Sequence, residues 1–149
     1  MYHKNNGVRA AHMKRFLIAS TVLFITALVW NVLVHLVVLQ DANSAIQNLK
    51  RTDFHDMLWL SLILTAGISC LFVWGYSRFA KNGSLREGIL FGLFFALTAG
   101  LLVDLNQYIL YPIPAALAFK WFLGGIIEFI LYGIIVSKLY SIGSNPRKV

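Results

Sequence analysis

Four long runs of apolar residues, separated by short polar connections, set the frame of this chain. The first covers 16–39 and contains no Asp, Glu, Lys or Arg. The others cover about 57–78, 88–111 and 115–140. At about 1.5 Å of rise per residue, a helix over any of them crosses a hydrocarbon core about 30 Å thick. The runs do not alternate apolar with polar positions, so they do not read as strands of a membrane barrel. A helix is then the spanning form that satisfies its own backbone groups. Between the third and fourth runs stands Tyr111-Pro112-Ile113-Pro114. Proline cannot donate to a helical ladder, so this sequence predicts a tight hairpin. The pattern predicts an all-α membrane protein, with four transmembrane helices in an antiparallel bundle forming a single membrane domain over 1–149.

The longest connection is 40–56. Ala42, Ala45, Ile46 and Leu49 fall on one apolar face there and predict a short helix lying in the membrane interface. Asp41, Asp53 and Asp56 share this loop without the spacing of a calcium loop, so it reads as a solvated acidic segment. The residues from Gly143 to Val149 read as a frayed tail.

Composition agrees with a lipid solvent. The chain of 149 residues is 58% hydrophobic and 13% charged, with a mean hydropathy of +0.70. A soluble domain is about 45–50% apolar and about a quarter charged, and one of this size has too little interior to hide the excess. The single cysteine, Cys70, cannot form an intramolecular disulfide and is expected to pack as an apolar residue. No Cys/His pairing suggests a metal, and no cofactor is expected.

The formal charge is +7. Its distribution gives an orientation. Ten basic residues fall in the leader, in the connection after span two, and at the end of span four with the tail. Only Lys50 and Arg51 lie in the connections on the other side. The positive-inside rule therefore places both termini in the cytoplasm. The same residues suit anionic lipid headgroups as partners, which accounts for the charge without nucleic acid. Lys4, Arg9, Lys14 and Arg15 precede span one, but that run is too long for a signal peptide and no small-residue cleavage site follows, so it is expected to be an uncleaved span.

Helices in lipid associate through close backbone approach and interhelical hydrogen bonds. Gly88, Gly92, Ala96 and Gly100 form a small-residue stripe on span three, Gly124, Gly125 and Gly133 mark span four, and Ser61, Thr65 and Ser69 mark span two. These faces suit packing inside one chain, contact with a second copy as a homo-oligomer, or contact with a membrane-complex partner. The tight hairpin favours packing within the chain.

Ionisable groups inside spans are costly and point to function. Here they are His35, Asp104, Lys120 and Glu128. Asp104 and Lys120 lie eight residues either side of Pro112, so they share a depth and are expected to form an ion pair. Asn31 stands one turn before His35, and Asn106 and Gln107 lie at a similar level. These residues are expected to surround a polar pocket in the outer half of the membrane. His35 has no second intramembrane histidine to share a haem. Glu128 lies midway along span four, with no basic residue at its depth. It is expected to hydrogen-bond, as a neutral carboxyl, with the hydroxyls of Thr26, Thr65, Ser69 and Thr98; carrying a proton or a cation is the functional alternative. Trp59, Trp121, Tyr108, Tyr111, Tyr132 and Tyr140 read as an interfacial aromatic belt.

Asn31 and His35 closing span one, Arg86-Glu87-Gly88-Ile89-Leu90-Phe91-Gly92 opening span three, and Tyr111-Pro112-Ile113-Pro114 before a Trp-bearing span four together resemble a group of small four-span bacterial inner-membrane proteins. That resemblance implies a multi-pass protein of the inner membrane and implies no activity. Three functional readings follow from the residues. The first is a non-enzymatic accessory or self-associating subunit of a membrane complex. The second is a small transporter or channel using the outer polar cluster and Glu128. The third is a membrane enzyme acting on a lipid or quinone, with His35 and Asp104 as acid or base, for which no nucleophile, metal cluster or phosphate loop is present.

Overall fold

The structure, a computed structural model, describes residues 2–40, 46–49 and 51–141. Among the described residues there is no strand, and four helices are long and apolar enough to cross a membrane: Arg9–Val37, Phe54–Phe79, Leu85–Leu110 and Ala115–Tyr140. The chain is a small multi-pass membrane protein built as a helical bundle.

Helix α1 (Tyr2–Leu33) runs without a break into a π-helical turn, Val34–Val38. It therefore includes the basic leader, well before the apolar run begins. Hydropathy marks the part of a helix that suits lipid. The helix itself continues wherever no breaker stops it, and no proline lies between Tyr2 and Leu33. The interfacial helix expected around Ala42, Ala45, Ile46 and Leu49 falls largely outside the described residues; within them, Gln47–Leu49 forms a 3-10 turn. Beside it, Arg51 donates two hydrogen bonds of 2.8 Å to Asp53. The guanidinium holds the Asp53 carboxyl below its ordinary range. Both groups are exposed, so water screens the pair and it adds little to stability.

A second 3-10 turn, Phe54–Met57, leads into α2 (Leu58–Phe79). The turn that follows uses Gly83 at φ +63°, a left-handed conformation that suits a residue without Cβ. Ser84 then caps α3 (Leu85–Ala99). Its hydroxyl accepts from the Glu87 amide at 3.2 Å, and the Glu87 carboxylate accepts from the amides of Ser84 and Asn82. This reciprocal box satisfies helix-end donors that would otherwise stay unpaired. A second π-helical turn, Gly100–Asp104, links α3 to the short α4 (Leu105–Leu110). After the Pro112–Pro114 hairpin, α5 (Ala115–Ser141) completes the bundle.

The α3–α5 seam is the tightest in the molecule. A Cβ at Gly88 would meet the backbone carbonyl of Gly133, one at Gly92 that of Phe129, and one at Gly133 that of Gly88. Further along, Gly100 lies under the ring of Phe122. Gly124 and Gly125 differ: a Cβ there would find only side-chain atoms at ordinary contact distance. Their role is to leave open space, not to admit another helix.

Two apolar clusters fill the bundle. The larger lies toward the 80–84 turn and joins Ala19, Leu23 and Ala27 of α1, Phe72, Val73 and Tyr76 of α2, and Tyr132 and Val136 of α5. Phe72 is its hub, with Phe91, Phe95 and Tyr132 edge-on at centroid distances of 5.0, 5.2 and 5.7 Å and Phe129 stacked at 6.0 Å. The smaller cluster lies at the proline hairpin and consists of Leu39, Ile113 and Leu117 with Trp121 against it.

Several side chains depart from the sequence expectation. Tyr132 is buried in the larger cluster and Trp121 is half-buried, so neither belongs to a belt, whereas Trp59, Tyr108 and Tyr111 are exposed as a belt requires. Cys70 faces outward instead of packing. It follows Ser69, which takes the inward position on α2, and successive helical residues point about 100° apart.

Candidate functional site

Between the two apolar clusters lies a cavity of about 360 Å³. Spans one, three and four form its walls. Their small residues create the space: Ala96, Ala99 and Gly100 on one side, Gly124 and Gly125 on the other. Five of the polar residues singled out in the sequence line it, namely Asn31, His35, Asp104, Gln107 and Glu128. Trp30 and Trp121 add aromatic walls.

Both π-helical turns border this space. Val34 and His35 belong to the first; Gly100, Val103 and Asp104 belong to the second. In the first, the Leu39 amide donates to the Val34 carbonyl five residues back at 2.8 Å. Such turns add a residue to the helical repeat and so re-aim the side chains around them; they recur at functional sites. In this protein they bring polar groups from spans one and three to one cavity.

Asn106 and Lys120 are exposed and lie outside the lining. Each adjoins a lining residue, Gln107 and Trp121, and so points about 100° away around its helix. The expected Asp104–Lys120 ion pair does not form: the one ion pair among the described residues is Arg51–Asp53. Depth alone suggested the pairing, and the rotation of Lys120 away from the cavity defeats it. Asp104 instead lies over Gly125, its Oδ2 3.9 Å from where a Cβ of that glycine would be.

Glu128 also finds a different partner. Tyr132, one turn on along α5, donates its hydroxyl to Glu128 Oε1 at 2.5 Å. The hydroxyls expected there turn to their own helices: Thr26 to Val22, Thr65 to Ser61, Ser69 to Thr65 and Thr98 to Phe94, at 2.8–2.9 Å. Back-bonding of this kind satisfies a hydroxyl locally. Asn31 behaves likewise through its amide nitrogen, which donates to the Ala27 carbonyl at 2.9 Å and leaves the side-chain oxygen for the cavity. Trp121 Nε1 is buried without a hydrogen-bond partner among the described residues. Tyr132, Trp30 and Trp121 are the functional neighbours that the sequence reading did not assign to the site. The Glu128–Tyr132 spacing of four was the available signal.

Chemically, the cavity offers two carboxyl groups, two amides, an imidazole and two indoles. The Asp104 and Glu128 carboxyls line the same cavity from spans three and four. Among the described residues no lysine or arginine lines the space. Among the described residues no group of three or more His, Cys, Asp or Glu could hold a metal ion. No protein-family model matches the chain, and no curated protein or solved structure shows significant similarity to it.

Proposed function

We propose that this protein binds a small solute in its intramembrane cavity and acts as a transporter, with both termini in the cytoplasm, antiparallel spans and the cavity in the outer half of the membrane. The carrying observation is the cavity itself, with Asp104 and Glu128 lining a space that no lysine or arginine among the described residues lines. Intramembrane carboxyls placed this way mark solute or ion sites more than packing sites. The distribution of Lys and Arg supports the orientation.

A carrier fits better than a channel. The aromatic cluster around Phe72 fills the bundle between the cavity and the 80–84 turn, as a carrier closed on one side requires. An accessory or self-associating role drew on the small-residue faces of spans three and four. Those faces are largely spent on each other at Gly88, Gly92 and Gly133. For an enzyme, the described residues of the cavity supply acid–base groups but no nucleophile and no metal cluster.

The test uses the purified full chain in detergent and a panel of small solutes covering cationic, uncharged and anionic classes. At least one class is expected to change tryptophan emission saturably, because Trp30 and Trp121 line the cavity. The same class should raise the unfolding temperature, since a ligand that binds only the folded state stabilises it. A panel in which no class does either contradicts the reading.

A further inference from the structure

We propose that the solute is a small organic cation, an amine or quaternary ammonium compound held between the Asp104 and Glu128 carboxylates with its charged head against Trp30 and Trp121. This rests on the transporter reading above and adds the chemistry of its substrate. Charge comes first. Two acidic side chains and the His35 imidazole line the cavity, no lysine or arginine among the described residues does, and Lys120, which shares the depth of Asp104, points away from it. Asp104 makes no hydrogen bond or ion pair among the described residues. One oxygen of Glu128 accepts from Tyr132, and the other is left for a ligand. Ionised carboxylates in a low-dielectric site are costly unless a positive partner offsets them. A cationic solute supplies that partner, and an anion is repelled.

Size then separates an organic cation from a bare metal ion. A cavity of about 360 Å³ far exceeds the space of one ion and falls at the small end of organic-ligand pockets, roughly 300–1,000 Å³. Metal ions need several ligand atoms converging at short range, and no such group exists among the described residues. The indoles decide the head group. Aromatic faces attract ammonium and quaternary ammonium cations through the ring quadrupole, tryptophan most strongly. The Asn31 side-chain oxygen and Gln107 add acceptors for ammonium N–H groups where the head is a primary amine.

The experiment measures dissociation constants on the purified full chain by calorimetry and tryptophan emission. The cationic probes are choline, benzyltrimethylammonium and benzylamine. The uncharged probes are benzyl alcohol and the choline isostere in which carbon replaces nitrogen, and the anion is benzoate. At least one cation is expected to bind about tenfold or more tightly than its uncharged counterpart. Asp104→Asn and Glu128→Gln should each weaken that cation about tenfold, while Asp104→Glu and Trp121→Phe keep more of the affinity than Asp104→Asn and Trp121→Leu. Equal binding of the uncharged isosteres, or a preference for benzoate, overturns the cation assignment and leaves the solute-binding cavity standing. Absence of binding by every probe overturns both. The isostere comparison is made on the unmodified protein, so it decides the question even where a variant fails to fold.

Discussion

Replacing Gly133 with leucine is expected to destabilise the bundle by about 3 kcal/mol or more, the upper range for forcing bulk into a packed interior. The reason is specific to this seam. A Cβ at Gly133 would collide with the Gly88 backbone carbonyl, and a Cβ at Gly88 with that of Gly133. Backbone cannot swing aside as a flexible side chain can, so α3 and α5 must part. Separation also removes the close approach on which helices in lipid depend, because burial from water no longer drives them together. The measurement is the unfolding midpoint of purified variants in a fixed detergent. Gly67→Leu is the control: a Cβ there meets nothing within 4 Å. It should leave the midpoint unchanged or raise it slightly, since glycine is a poor helix former. Equal losses at Gly67 and Gly133 would show that the seam is not the determinant.

Phe72→Ala is the second large effect. Phe72 is fully buried and touches four aromatic rings from spans three and four. Truncating such a residue in a water-soluble core costs about 3–5 kcal/mol. Here lipid is as apolar as the interior, so the transfer part shrinks and the lost contacts and residual cavity remain. The expected loss is therefore near the lower end, about 3 kcal/mol. Phe94→Ala, at a side chain 66% exposed on the lipid face, should cost far less. If the Phe72 cluster is the closed side of the proposed carrier, Phe72→Ala should additionally make reconstituted vesicles leaky to a small solute that the unmodified protein retains. An unchanged midpoint and a tight vesicle would remove both roles from Phe72.

Much of this architecture is legible in the sequence for plain reasons. Lipid-exposed spans are apolar on every side, so their number and approximate ends follow from composition. The four-residue recurrence of Gly88, Gly92 and Ala96 marks a face, and those three residues are buried on α3. Ser84 and Glu87 carry the spacing of a capping box, a local pattern that needs no tertiary partner. The site was less legible because sequence separation gives depth but not rotation. Asp104 and Lys120 match in depth on either side of Pro112, yet Lys120 points away. The π-helical turn ending at Asp104 shifts the side chains of span three, and no residue pattern announces it. The hydroxyls of Thr26, Thr65, Ser69 and Thr98 depart from the sequence expectation for another reason. Depth suggested Glu128 as their common partner, but each had an acceptor already within its own helix. Tyr132, four residues from Glu128, needed no help from another span.

The proposed carrier requires its cavity to open to the face opposite the termini and to be closed to the other. The direct measurement places a cysteine at Gly124, which lines the cavity and has room for a Cβ, in a Cys70→Ser background. A membrane-impermeant maleimide is then applied separately to each face of sealed membranes. Modification is expected from the face opposite the termini, and protection from the face that carries them. Modification from the terminal face alone, or from neither face while detergent-solubilised protein reacts, would contradict it.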